Sequence, residues 1–341
     1  MSVERIFERL EELYAIGGET GANRPHPSPE EDAAHELAAG WLREAGLAVE
    51  IDDHGNLLGR SGERDDVWVG SHLDTVPQGG KFDGALGVVA AIEAVEQAGC
   101  GSAVAFRGEE VGCIGSRALC RYEEVPSAFL ELHIEQGPTL ERAGVPLGVV
   151  TSIVGYVRGE LVFEGRAGHA GTTPMRDRED ALVEAAIEIL RVRDAALEVE
   201  GAVATVGELD VEPGAGNVIP GRVRLSVDVR APDSERLDDV IARVGLKPAH
   251  RAEPVAMSER CRAALNDEIA SRGLQSVELP SGAGHDAGIL AAAGVDAGML
   301  FVRSLNGGVS HSPDELSSRE DVAFAVDVLA GTLRRLASGS F

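Results

Sequence analysis

Residues 68–87, WVGSHLDTVPQGGKFDGALG, constrain the fold of this chain more than any other segment. The apolar residues 67–69 predict a short buried strand, and His72 and Asp74 follow it at the end where strands of an α/β sheet deliver ligands to a cleft. An imidazole is a good ligand for zinc, manganese or cobalt, and a carboxylate two residues later can hold its second ring nitrogen. Asp83 comes from a glycine-bearing loop whose backbone can approach closely. The segment predicts a metal site, with a polar loop carrying an unrelated histidine as the alternative.

Three further segments carry side chains that such a site still lacks. Glu109 and Glu110 follow the apolar run 103–106, and His133 lies in FLELHIEQG, whose alternation predicts a strand with one polar face. His311 lies in the glycine-bearing loop GGVSHSPDE. Neighbouring carboxylates at a strand end point in different directions, so one can bind metal while the other faces substrate. Each segment alone is more often a surface or capping feature, but together they supply ligands for two metals that share a carboxylate.

With these segments in view, the chain resembles the M20 metallopeptidase superfamily. Within it, the chain is similar to the hydantoinase/carbamoylase branch of N-carbamoyl-L-amino acid hydrolases, allantoate amidohydrolases and ureidopropionase-like enzymes. The resemblance covers most of the chain, and its motifs occur in the family's order: GSHLDTVPQGGKFDGALGV, ELHIEQGP, GHAGTTPMRDREDAL, GNVIPG, DVR, SGAGHDA and SHSPDE.

The resemblance implies two divalent metal ions per subunit, and ligands of this type accept zinc, manganese, cobalt or nickel. The implied ligands are His72, Asp83 and His133 for one ion and the shared Asp83, Glu110 and His311 for the other. Asp74 would hold the second ring nitrogen of His72, the one that does not bind metal. Two cations about 3.5–4 Å apart acidify a bridging water, and Glu109 would be the general base that takes its proton as the hydroxide attacks an amide carbonyl.

The family likeness also implies a substrate pocket. Asn217 of GNVIPG and Arg230 of DVR correspond to residues that bind the substrate's carboxylate, which a guanidinium holds through two hydrogen bonds. Gln136, Gly284 and His285 would make further polar contacts around the ureido group. Without the family likeness, Asn217 is read as a turn residue before a proline, and Arg230 as a surface strand residue.

His169 of GHAGTTP is implied to donate a hydrogen bond to the oxyanion, and in this family that histidine comes from the partner subunit. The resemblance therefore implies a homodimer formed through a lid domain. A chain of 341 residues is expected to form two domains. We expect an α/β fold in which residues 1–150 and 257–341 form a catalytic domain with a mixed sheet. The βαββαβ order of strands and helices in residues 151–256 predicts an inserted ferredoxin-like α+β domain, and the resemblance implies that it is the lid and dimerisation domain.

Several elements are predicted with boundaries. A helix is expected over Pro29–Ala45, starting near Ser28, and an apolar helix over Asp83–Ala98. In the inserted domain, the pattern predicts a helix over Asp177–Val192 and a strand over Arg222–Arg230.

The composition excludes some functions. The formal net charge is −26, and Lys81 and Lys247 are the only lysines. So acidic a surface disfavours nucleic acid and anionic membranes. It suggests a halophilic host, with an ordinary acidic enzyme as the alternative. No apolar run reaches the length of a membrane span, and the first residues predict an acidic amphipathic helix instead of a signal sequence, so we expect a cytoplasmic protein. The four cysteines are scattered, and we expect them to be reduced thiols.

Three departures from the family pattern lie near the predicted pocket. The segment between Glu110 and His133 is much shorter than in relatives, so the pocket wall there is expected to be more open. Val111 replaces the usual glycine after the paired glutamates. Arg303 occupies a position where the family often has proline, and an added cation near the metals would favour more acidic substrates.

The function that these features favour is metal-dependent hydrolysis of the linear amide C–N bond of an N-carbamoyl-L-amino acid or a related ureido acid. Allantoate is the alternative substrate. A dipeptidase or N-acyl amino acid deacylase is a second alternative, although general M20 peptidases typically have a carboxylate at the position of His133. A non-catalytic binding protein is the third, and it is disfavoured because Glu109 and every implied ligand are present.

Overall fold

The computed structural model describes residues 3–18, 20–62, 66–122 and 124–339. Over this part of the chain two compact units form, the larger comprising the chain up to Thr151 together with the chain from Ala256 onwards. The smaller unit is Ser152–Val255. No helix within the described residues is both long and apolar enough to cross a bilayer.

The strands, in chain order, are β1 (Ala48–Ile51), β2 (Leu57–Arg60), β3 (Val67–His72), β4 (Ser102–Phe106), β5 (Ala128–Ile134), β6 (Leu147–Ile153), β7 (Gly155–Glu164), β8 (Gly168–His169), β9 (Val203–Glu212), β10 (Val218–Ile219), β11 (Arg222–Ala231), β12 (Pro248–Ala252), β13 (Val255–Ala256), β14 (Ser276–Ser281) and β15 (Asp296–Val302). The helices are α1 (Val3–Tyr14), α2 (Pro29–Glu44), α3 (Ala85–Ala98), α4 (Ile114–Tyr122), α5 (Thr139–Ala143), α6 (Ala181–Leu197), α7 (Ser234–Val244), α8 (Glu259–Ser271), α9 (Asp286–Ala292) and α10 (Arg319–Ser338).

The described residues include one large mixed sheet with the strand order β1-β2-β4-β3-β5-β15-β6-β13, and β14 pairs with β6. Its centre is parallel, because β3 pairs with β4 and β5, and β5 pairs with β15, all in parallel register. The pairs β1–β2, β2–β4 and β6–β15 are antiparallel. This confirms the predicted α/β class with a mixed sheet.

The central strands are buried along their whole length, as expected for parallel strands covered on both faces. Helix α3 is correspondingly apolar, since eleven of its residues from Ala85 to Val95 are buried. It begins directly after Asp83, where Gly84 has a φ of 63°. A side chain at Gly84 would overlap the imidazole of His72, so the glycine permits this close approach.

The smaller unit, all of whose residues are described, has a four-stranded antiparallel sheet in the order β12-β7-β11-β9. Helices α6 and α7 share one apolar cluster with the sheet residues Val157, Val227 and Val229, so both cover the same sheet face. Helix α6 begins later than predicted, because the side chain of Asp180 accepts hydrogen bonds from the backbone N–H groups of the first helical turn. Residues 175–177 form a separate 3-10 turn instead.

One residue of the larger unit gives its stability a pH dependence. His35 on α2 is buried, and neither of its ring nitrogens has a hydrogen-bond partner among the described residues. Burial, with a smaller contribution from Arg107, lowers the pKa of His35 to about 3. As the pH falls below the ordinary value near 6.5, the unfolded chain takes up a proton that the folded chain does not. The contribution of this group to stability is therefore complete above pH about 6.5 and is lost progressively towards pH about 3.

We expect His35→Leu to make the protein less sensitive to acid. Between pH 7 and pH 5 the wild type should lose about 2 kcal/mol of unfolding free energy relative to His35→Leu, because the variant has no imidazole to protonate on unfolding. Urea denaturation at the two pH values measures this difference. His250→Asn is the matched control, since it removes an exposed histidine and should leave the pH dependence unchanged. Equal slopes for the wild type and His35→Leu would contradict the prediction.

Candidate metal centre

The first candidate ligand group lies at the carboxyl ends of two neighbouring parallel strands. His72 ends β3 and His133 lies near the end of β5, so the sheet brings both imidazoles to the same edge. Asp83 joins them from the loop before α3. Its Oδ1 is 3.0 Å from His133 Nε2 and 3.7 Å from His72 Nε2. The three ligand atoms lie within 4.8 Å of one another, and all three residues are buried.

The second group uses the other oxygen of the same carboxylate. His311 Nε2 is 3.4 Å from Asp83 Oδ2 and 3.6 Å from Glu110 Oε2. These three residues form a cluster as tight as the first, with Asp83 common to both. His311 differs from the other ligands because its side chain is 51 % exposed.

The donor atoms fit divalent cations. Among the described residues, His72 Nε2, His133 Nε2 and Glu110 Oε1 are buried without a hydrogen bond of good geometry. The two histidine nitrogens face Asp83. The Nδ1 atoms of both histidines are hydrogen-bonded to backbone carbonyl oxygens. His72 Nδ1 is 3.1 Å from the carbonyl oxygen of Asp74, and His133 Nδ1 is 2.9 Å from that of Ile134. Outer hydrogen bonds of this kind fix the orientation of metal-binding imidazoles.

The charges of the cluster also favour a cation. Burial and the neighbouring Asp83 raise the pKa of Glu110, because a second negative charge is costly in this environment. The hydrogen bond to Asp83 raises the pKa of His311 to about 9, although burial opposes this shift. A divalent ion between these carboxylates would offset their repulsion.

Asp74 organises the two glutamates. Its Oδ1 accepts a hydrogen bond from the backbone N–H of Glu109 and its Oδ2 accepts one from that of Glu110, each at 3.0 Å. Its Oδ1 is also 3.4 Å from His72 Nδ1. Burial opposes ionisation of Asp74, but the contact with His72 and the two backbone donors lower its pKa.

Glu109 lies beside both groups without belonging to either. Its Oε2 is 3.7 Å from His72 Nε2, and its side chain is 9 % exposed. Burial raises the pKa of Glu109 well above its ordinary value; His72 opposes the shift, while Asp286 and Glu110 reinforce it. A carboxylate with a raised pKa is a better proton acceptor near neutral pH.

The residues predicted to surround the ureido group have different settings. Gln136 adjoins the shared carboxylate, because its side-chain nitrogen donates to Asp83 Oδ2 at 2.9 Å. His285 is buried, with Nε2 at 3.0 Å from Ser281 Oγ and Nδ1 at 3.9 Å from Glu109 Oε1. Gly284 is exposed, and a side chain at its position would meet open space.

In the smaller unit, two predicted residues lie together and a third lies apart. His169 on β8 pairs with Val218, and the backbone N–H of Ala170 donates to the carbonyl of Asn217 at 3.0 Å. Arg230 lies near the carboxyl end of β11, where its Nε donates to Asp228 Oδ1 at 3.0 Å. Eight residues of extended strand between positions 222 and 230 span roughly 26 Å.

Arg303 does not add a free cation beside the metal ligands. Its guanidinium forms two hydrogen bonds with Asp321 in the first turn of α10, with Nε at 2.9 Å and Nη2 at 3.1 Å. Asp321 is buried, and the arginine neutralises it. The expected preference for acidic substrates therefore has no support at this position.

Glu315 is a residue of the site that the sequence motifs alone did not predict. This buried carboxylate, the last residue of SHSPDE, accepts hydrogen bonds from the backbone N–H groups of Asp83 and His311. The signal in the sequence is its place four residues after a predicted ligand.

Comparison with known proteins identifies the family of this chain. Residues 68–335 match the model of peptidase family M20/M25/M40. The chain is 37 % identical to an N-carbamoyl-L-amino acid amidohydrolase of Geobacillus stearothermophilus over 98 % of this chain and 99 % of the relative. It is 37 % identical to an allantoate amidohydrolase of Bacillus subtilis (strain 168), over 86 % of this chain and 87 % of the relative.

A solved structure of an amidase of the hydantoinase/carbamoylase family from Burkholderia multivorans matches with a TM-score of 0.90 and 29 % identity, over 98 % of both chains. The alignment with the Geobacillus protein spans 406 positions, more than the 341 residues here, so this chain lacks segments that the relative has. The extent of these matches shows that the chain belongs to peptidase family M20/M25/M40, and that its relatives there include N-carbamoyl-L-amino acid and allantoate amidohydrolases.

Proposed function

We propose that the protein is a metal-dependent amidohydrolase that cleaves the linear amide C–N bond of N-carbamoyl-L-amino acids or related ureido acids. The observation that carries this proposal is the pair of ligand groups on the shared Asp83, with Glu109 buried directly beside them. The products from an N-carbamoyl-L-amino acid would be the amino acid, ammonia and carbon dioxide. The names of the relatives support the same substrate class.

Each ligand group would hold one divalent ion. His72, Asp83 and His133 would bind the first, and Asp83, Glu110 and His311 the second. When bound, the ions would polarise the substrate carbonyl and acidify water. The donor set of imidazoles and carboxylates suits zinc, manganese, cobalt and nickel alike, so the native metal would follow availability.

Glu109 would move the proton. It would accept a proton from the attacking water and deliver it to the leaving nitrogen, which is the use of a buried carboxylate with a raised pKa. Asp74 would keep the carboxylate in place through the two adjacent backbone hydrogen bonds. Gln136, Gly284 and His285 would contact the substrate's polar groups; Gln136 has the most direct support because it already touches Asp83.

The residues of the smaller unit would act on substrate from two directions. Arg230 and Asn217 would bind the substrate's carboxylate, and His169 would donate to the oxyanion. Positions 222–230 of β11 span roughly 26 Å, which exceeds the size of a small ureido acid. Asn217 and His169 lie in segments that adjoin the Arg222 end of this strand. One copy of this unit therefore does not surround a single substrate with all three residues, which supports completion of each site by a second copy.

The smaller unit has an exposed apolar surface on which that second copy could bind. Val183, Ile187, Leu190 and Leu197 on α6 are 51–77 % exposed and recur at spacings of four, three and seven residues. Strand β9, which packs beside α6, is an edge strand with Val203 and Leu209 exposed. An apolar helix stripe next to an open strand edge is suited to symmetric pairing. We therefore propose a homodimer through this lid unit.

The alternatives keep the same centre. Allantoate would be hydrolysed by the same groups, and one relative bears that activity in its name. A dipeptidase or deacylase would use the same ions on a peptide or acyl amide. His133, which lies in the first ligand group, favours the carbamoylase branch over these. A non-catalytic protein would have no use for the carboxyl group of Glu109 buried beside both groups.

The cellular setting that we propose is the cytoplasm. All four cysteines are free thiols, and burial raises the pKa of Cys261 to about 12, which makes this thiol unreactive. The net charge of −26 motivates the further proposal of a salt-adapted host.

Glu109→Gln should abolish turnover while keeping the metals. We expect kcat to fall by about 10²–10⁴-fold because the amide cannot accept the proton. Ammonia release from N-carbamoyl-L-amino acids and allantoate, and amine release from N-acetyl amino acids, identify the substrate class in the wild type. Glu110→Gln is the matched control, because it should lose metal as well as activity. Unchanged ammonia release in Glu109→Gln would refute the role of the base, and amine release from acetyl substrates alone would identify a deacylase.

Mixed dimers should recover activity. When Glu109→Gln and His169→Ala chains are co-expressed, half of the dimers are mixed, and one of their two sites has both residues intact; about a quarter of wild-type activity is expected. Co-expression of Glu109→Gln with Glu110→Gln is the control, because both changes lie in the larger unit and no intact site can form. Absence of recovery in the first mixture would show that His169 does not act across the dimer.

Salt should stabilise the fold if the acidic surface is an adaptation. Thermal unfolding followed by circular dichroism in about 0.1 M and about 2 M KCl tests this, since ions screen the repulsion among surface carboxylates. A midpoint that rises with KCl over this whole range is the expected result. A midpoint independent of salt would indicate an ordinary acidic enzyme.

A further inference from the structure

Glu315 connects two loops that each carry a candidate metal ligand. Its Oε2 accepts hydrogen bonds from the backbone N–H groups of Phe82 and Asp83, each at 3.2 Å. Its Oε1 accepts from Ser310 Oγ at 2.9 Å and from the backbone N–H of His311 at 3.0 Å. Asp83 and Glu315 are 232 residues apart in the chain. One buried carboxylate thus fixes the backbone of two ligands from distant segments.

The surrounding residues leave room for this carboxylate. A side chain at Gly80 would overlap the carboxyl group of Glu315, so the absence of a Cβ atom there is what permits its position. Ser310 extends the network, because it lies 3.1 Å from the side-chain nitrogen of Gln136. That same nitrogen donates to Asp83 Oδ2. The network therefore contacts Asp83 at both its backbone N–H and its side-chain carboxylate.

His311 depends on this support more than the other histidines do. His72 and His133 lie on buried strands of the central sheet and have their Nδ1 atoms held by carbonyl oxygens. His311 lies in a loop, is half exposed, and has a φ of 55° in the left-handed region, where a non-glycine residue is strained. The bond from its N–H to Glu315 holds the backbone in this conformation.

We propose that Glu315 is a positioning residue that sets the affinity of the Asp83, Glu110 and His311 group for its cation. The inference rests on the proposed two-metal function and extends it to a residue that touches neither metal nor substrate. Outer residues that orient metal ligands typically alter metal affinity about 10–100-fold when they are changed. Because Glu315 holds His311 and Asp83 but not His72 or His133, its effect should fall mainly on the second ion.

Glu315→Gln tests this with little change of shape. The amide keeps one acceptor oxygen, but its NH2 group then faces one or two backbone N–H donors, so one or two of the four hydrogen bonds are lost. Titration of the metal-free protein with Co²⁺, followed by calorimetry and by visible absorption, counts the ions and gives both affinities. We expect one of the two affinities to fall about 10–100-fold and the other to change much less.

Two further variants make the test independent of one substitution. Gly80→Ala should displace the Glu315 carboxylate and weaken the same ion, although it alters no polar group. Glu93→Gln is the control, because Glu93 is an equally buried carboxylate that pairs with Arg5 and Arg9 instead, and it should leave both affinities unchanged. If Glu315→Gln does not fold, Gly80→Ala and Ser310→Ala carry the measurement, with the same sign expected.

The outcomes separate the two proposals. A wild-type protein that binds two Co²⁺ ions while Glu315→Gln and Gly80→Ala bind both with wild-type affinity overturns the role of Glu315 alone. A wild-type protein that binds fewer than two ions overturns the two-metal function, and this inference with it. Equal weakening by Glu93→Gln would show a general loss of stability and would also overturn the proposed role.

Discussion

The buried carboxylate of Asp83 is the constraint on which the arrangement of the site depends. It lies just before α3, and its two oxygens face different ligand groups. Burial alone would favour its neutral form, but His133 and His311 hold its pKa well below the ordinary value. A charge in such a place must be surrounded by partners that are themselves fixed. The parallel strands, the glycines around the loop and the backbone donors to Glu315 and Asp74 all serve that requirement.

Much of this could be predicted from sequence because it follows from local rules. The apolar run before His72 and the alternation around His133 each predict a strand, whereas the family resemblance implied that the two histidines share one ligand group. The start of α2 was predictable from Ser28, whose hydroxyl caps the backbone N–H of Glu31. The βαββαβ order of the smaller unit was equally visible, since its strands and helices each have their own period.

Contacts between residues that are far apart in the chain could not be predicted from the sequence. Nothing near Arg303 in the chain indicates that Asp321 would neutralise it, and nothing near Glu315 indicates its contact with residues 82 and 83. Helix α6 begins at Ala181 and not at the predicted Asp177, because the side chain of Asp180 caps the first turn. Short helices such as α4, α5 and α9 carry too few residues for a periodic signal.

Asp74 has a consequence for how this site responds to substitution. Because one carboxylate binds the backbone N–H groups of both Glu109 and Glu110, the two glutamates are held in a fixed relation to each other. Under the proposed function, a substitution that shifts this loop would alter proton transfer and metal binding together, so neither property could be adjusted independently of the other.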